Sequence, residues 1–159
     1  MSPICDHENM PKKLSRSQQK IRKGIDALTE WAENKGYEVH LEANRIDEVR
    51  RLHKEIYIST RQPLYMQLFG LAHECGHVTI EHNLERYKKR YPRNYEREME
   101  GKKNRQWSKI SLHQELAEEC EAWQKGEELL NKLNVKFDKE KFDKVAADCV
   151  FTYIKSAAE

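Results

Sequence analysis

No two of the four cysteines, Cys5, Cys75, Cys120 and Cys149, form a C-x-x-C pair. A zinc ribbon and a thioredoxin-type motif are therefore absent. Scattered thiols of this kind suit a reducing compartment better than a disulfide framework. No apolar run approaches the roughly 18 residues that a membrane-spanning helix needs, and no membrane partner is expected. Met1 to Lys13 lack the apolar segment of a secretory signal, so a cytoplasmic location is expected. There is no internal repeat and no low-complexity tract. Charged residues make up 35% and apolar ones 38%, with a mean hydropathy of −0.98. The surface must be very polar. Enough aromatic and branched aliphatic residues remain to exclude wholesale disorder, and 159 residues can bury a real core.

Net charge is only +2, but it is unevenly spread. Lys12 to Lys23 holds six basic residues and no acid. Leu84 to Lys109 holds ten basic and four acidic residues, and Glu115 to Glu128 holds six acids and one Lys. Solvated helix faces account for such runs. The alternative is a basic surface for an acidic partner or a nucleic acid, because Tyr87, Tyr91, Tyr95 and Trp107 interleave with Lys and Arg.

Residues 1–14 read as a flexible arm and 15–159 as one domain, α+β and mostly helical. Ile21, Ile25, Leu28, Trp31 and Ala32 recur at helical spacing, predicting a helix over Ser17 to Lys35. Ser15 or Ser17 can cap its start and Gly36 stands just past its end. Tyr37 to Glu42 alternates apolar and polar, as a half-buried strand does. Lys54 to Thr60 is rich in β-branched and aromatic residues and reads as a second strand; the segment between the two is ambiguous. Leu64 to Ile80 is apolar on nearly all sides, which predicts a buried helix with Thr60 as N-cap and Pro63 in its first turn. Residues 84–109 read as a long basic excursion. Leu112 to Leu133 and Asp138 to Lys155 read as two further helices, with Phe142, Val145, Ala146, Cys149 and Tyr153 on one face of the second.

His73-Glu74-Cys75-Gly76-His77 stands inside the buried helix. Residues i and i+4 stand one above the other on a helix face, so two imidazoles converge on one ion. Glu74 projects beside them, placed to act as general base, and Gly76 would let a strand or substrate approach. Burying two histidines and a glutamate is costly unless something satisfies them. A catalytic zinc takes three protein ligands and leaves one position for water. Ile80 and Asn83 stand where the H-E-x-x-H-x-x-G-x-x-H pattern needs Gly and His, so the third ligand lies elsewhere. His82 reads as a helix-end residue.

The acidic helix offers that ligand. Its apolar stripe runs Leu112, Leu116, Cys120, Trp123 and Leu130. Glu119 falls in the middle of the stripe, between Leu116 and Trp123, and a carboxylate aimed into a core needs a cation. Glu118 at the stripe's edge and Glu115 one turn earlier are the alternatives. Glu121, Glu127 and Glu128 read as a solvated face.

The order helix, strands, Leu71-Ala72-His73-Glu74-Cys75-Gly76-His77, then Glu119-Cys120-Glu121-Ala122 on a downstream helix resembles the ImmA/IrrE-type metallopeptidases of bacteria and their phages. The resemblance covers about residues 17–155. Trp123 stands where that family usually has Asn or Asp, a variant that looks like a phage-encoded branch. The resemblance implies a zincin-like domain binding Zn²⁺ through His73, His77 and Glu119. It implies hydrolysis of a peptide bond in a protein or peptide substrate, a regulatory protein by family analogy. The alternative is a zinc-stabilised binding protein that contacts protein or nucleic acid through 84–109. Tyr87, Tyr91, Tyr95, His82 and His113 are the candidate donors to a developing oxyanion.

Overall fold

The structure is a computed structural model that describes residues 13–101 and 109–158. Residues 1–12 of the expected flexible arm, with Cys5, and Trp107 of the basic stretch lie outside the described residues. The first helix, α1, spans Arg16–Glu33 and starts at Ser15, whose hydroxyl accepts from Gln18 N–H while the Gln18 side chain accepts from Ser15 N–H. This reciprocal capping box fixes the start at the earlier of the two candidate serines. Gly36 (φ 83°) reverses the chain beyond the helix, a backbone region that glycine enters without cost.

Three strands follow: β1 (Glu38–Glu42), β2 (Glu48–Arg50) and β3 (Glu55–Ser59). β3 is central, parallel to β1 and antiparallel to β2. β2 occupies the segment whose sequence is ambiguous; three residues are too few to show an alternation. On β3, Ile56 and Ile58 are buried and turn toward the helices.

α2 spans Leu64–Glu81, and its interior from Gln67 to Val78 is buried throughout. Its N-cap is Pro63, with no side-chain cap. Thr60 is not the cap, because its N–H extends the sheet by bonding to Glu42 C=O. α5 (Lys109–Lys132) packs along α2, and α6 (Lys139–Ala158) follows. Ile25 and Leu28 of α1, Leu68 and Phe69 of α2, Leu130 of α5 and Phe142 of α6 form one core with β3. Each such side chain contributes about 1.5–3 kcal/mol by leaving water. None of the described helices is long and apolar enough to cross a membrane.

The basic stretch differs from the expected excursion. Its described part forms two short helices, α3 (Leu84–Arg90) and α4 (Pro92–Met99). Asn83 caps α3 by accepting from Arg86 N–H, and Pro92 opens α4 where its missing N–H costs nothing. Tyr87, Tyr91 and Asn94 are buried beneath them.

α2 and α5 approach backbone to backbone. A Cβ on Gly76 would collide with the Ala122 carbonyl, and one on Gly126 with the Ala72 carbonyl. Gly76 therefore admits α5, rather than a strand or substrate. The inward face of α5 is accordingly Glu118, Ala122, Gly126 and Leu129. Of the expected stripe, Trp123 and Leu130 are buried, but Cys120 is exposed. Gly76→Ala should cost about 1–3 kcal/mol by forcing the helices apart, read as a lower urea midpoint of the metal-free protein; an unchanged midpoint would contradict the close contact.

Candidate metal centre

α2 places His73 and His77 one turn apart, and α5 supplies Glu119 opposite them. The two Nε2 atoms lie 3.2 Å apart. The Glu119 carboxylate reaches His73 Nε2 at 3.1 Å and His77 Nε2 at 3.3 Å. One ligand atom from each residue lies within 4.8 Å of the others. Two imidazole nitrogens and a carboxylate oxygen converging in this way fit a divalent metal of the zinc type. His73 Nδ1 is buried without a hydrogen-bond partner, and its ring stacks on Trp123 at 4.4 Å between centroids.

Glu118 does something different. Its Oε1 sits 3.0 Å from His77 Nδ1, and Arg51 donates to the same oxygen. Its Oε2 accepts from Tyr87 O–H at 2.9 Å and from Asn94 Nδ2 at 2.6 Å. Glu118 is thus buried at the centre of the helix contact, 3% exposed, rather than at a stripe's edge. A carboxylate on Nδ1 fixes the ring and turns the Nε2 lone pair outward. Burial alone would raise the Glu118 carboxyl; the hydrogen bond from His77 and the charge of Arg51 outweigh it and hold the pKa at about 2. Glu115 faces Arg97 at 3.7 Å. Glu121 is no solvated residue, since Arg90 (2.7 Å) and Tyr91 both donate to it. Glu128 is exposed, and Glu127 meets Lys139 at 3.1 Å.

Glu74 is 5% exposed. Burial pushes its carboxyl above the usual range; His73 and His77 pull it back, while Glu119 and Asp47 add to the rise. A carboxylate so placed is a ready proton acceptor. Burial alone would lower the pKa of His77, but hydrogen bonds to Glu118 and Glu119 overcome it and push it up to about 10. Metal-free protein at neutral pH therefore holds an imidazolium there, and a metal can enter only as that proton leaves. Uptake should release about one proton, with affinity falling roughly tenfold per unit as pH drops. Calorimetry in buffers of different ionisation enthalpy measures this, and a buffer-independent heat would refute it.

Two cavities meet at His73, Glu74 and Glu119. One of about 200 Å³ is polar and extends past Arg51 and Glu98; the other, of about 360 Å³, runs past Met66, Trp123, Val145 and Cys149. Asp47 and Tyr153 line both. Of the candidate oxyanion donors, Tyr87 and Tyr91 are committed to Glu118 and Glu121, and His113 and His82 are exposed, with His82 closing α2. Arg51, Asn94 and Tyr153 carry no sequence signal as site residues. Arg51 stands in a loop, Asn94 in a charged stretch, and Tyr153 reads as part of an apolar helix face.

A helix-borne His-Glu-x-x-His facing a carboxylate from a later helix defines a metallopeptidase-like domain. Residues 22–137 match the IrrE N-terminal-like domain, a peptidase family, and the chain belongs to that family. No curated protein and no solved structure gives a significant match.

Proposed function

We propose that the chain is a zinc-dependent metallopeptidase that hydrolyses a peptide bond in a protein or peptide, with a regulatory protein as the substrate class suggested by the family. The carrying observation is the convergence of His73, His77 and Glu119 ligand atoms within 4.8 Å, with Glu74 buried beside them. His73 and His77 on α2 and Glu119 on α5 would hold the zinc. When bound, the metal supplies Lewis acidity to water and to the scissile carbonyl. Glu74 accepts the proton of the attacking water and returns it to the leaving amine. Glu118, itself held by Arg51, Tyr87 and Asn94, keeps His77 in the ligating orientation. The free thiols of Cys75, Cys120 and Cys149 suit a cytoplasmic setting. Zinc-loaded protein should cleave members of a mixed-sequence peptide pool, read by mass spectrometry. A chelator should stop cleavage and zinc should restore it; an untouched pool would overturn the reading.

A second reading is a zinc-stabilised binder. It is favoured by the exposed basic face of α3, where Arg86, Lys88, Lys89 and Arg90 all face solvent. A protein surface or nucleic acid would be its partner, with charge rather than stacking as the attraction, because Tyr87 and Tyr91 are turned inward.

A further inference from the structure

α6 begins at Lys139, just past the end of the family match at residue 137. It is anchored by Phe142, whose ring meets Phe69 at 5.1 Å and Trp123 at 5.4 Å. About three turns further on the same face, Tyr153 arrives where the two cavities join over His73, Glu74 and Glu119. There it shares the lining of both cavities with Glu119.

The other donors at this junction are committed elsewhere. Arg51 is held between Glu81 and Glu118, Asn94 donates to Glu118, and Gln62 donates to Asp47. Arg97, which lines the polar cavity, donates to Glu98. Tyr153 is, among the described tyrosines, the one that lines both cavities.

We infer that Tyr153 is a catalytic residue: its hydroxyl donates a hydrogen bond to the scissile carbonyl oxygen as that oxygen gains negative charge. This rests on the peptidase reading. Water oxygen bonds to the carbonyl carbon, the C–N bond breaks, and the water proton travels through Glu74 to the amine nitrogen. Tyr153 keeps its own proton throughout. A preplaced donor in a site shielded from water acts on the transition state more than on the bound substrate.

The test compares full-length, zinc-loaded wild type with Tyr153→Phe on a peptide that the wild type cleaves from the mixed pool. Zinc affinity is measured in parallel by competition with a chelator. The phenyl ring keeps the packing and loses only the donor. We expect kcat to fall about 100-fold, with KM and zinc affinity nearly unchanged. An unchanged kcat would overturn the assignment and leave the peptidase reading standing. A lower zinc affinity with kcat restored at saturating zinc would overturn it too, making Tyr153 a support for Glu119 alone. A zinc-loaded wild type that cleaves nothing would remove the peptidase reading and this inference with it.

Discussion

Glu74→Gln should abolish peptide cleavage while leaving zinc bound and the fold intact. The amide keeps the shape of the carboxyl but cannot take a proton, and a general base contributes about 10²–10⁴-fold in rate. Glu74 lies between His73 and His77 in sequence, yet it stands outside the His73–His77–Glu119 group. Loss of a buried, proton-hungry carboxyl should leave folding nearly untouched, since burial already disfavours its charged form. Cleavage rate and zinc content of the same preparation decide the matter. If a cellular effect survives Glu74→Gln and disappears with His73→Ala, the binder reading takes over. The exposed Lys88, Lys89 and Arg90 then become the place to look.

Glu119→Gln should weaken zinc binding more than any other carboxylate substitution in the site. Its two oxygens face both imidazole Nε2 atoms, and burial of its charge is offset by His73 and His77. The neutral amide loses the charge that a cation needs. Glu118→Gln acts one step removed, through His77, and should cost about 10–100-fold in zinc affinity. Glu121→Gln, whose partners are Arg90 and Tyr91, should leave affinity unchanged. Chelator competition ranks the three; equal small effects at Glu118, Glu119 and Glu121 would refute the placement of the ligand.

The two histidines were legible because i,i+4 spacing in a helix is a rigid instruction, and because an all-round apolar helix must be buried. Glu119 was legible as a charge surrounded by apolar neighbours. The orientation of α5 was not. Hydrophobicity placed Cys120 inward with Trp123 and Leu130; those two are buried but Cys120 is exposed, and Ala122 and Gly126 meet α2 because they are small enough for backbone contact. The same close contact brings Glu118 to the centre and makes it the partner of His77 Nδ1. Local pattern could not reveal Arg51, whose neighbours Glu81, Glu118 and His77 come from distant segments. The helices α3 and α4 were hidden by their surface charge, although Tyr87, Tyr91 and Asn94 recur at helical spacing and are the residues that turn inward.

Metal content of purified protein after zinc loading and removal of unbound ion bears most directly on the metal centre. The account predicts about one zinc per wild-type chain, and loss of that zinc in His73→Ala with the fold retained. A wild-type chain that holds no stoichiometric zinc, or a His73→Ala chain that holds as much as the wild type, would contradict it.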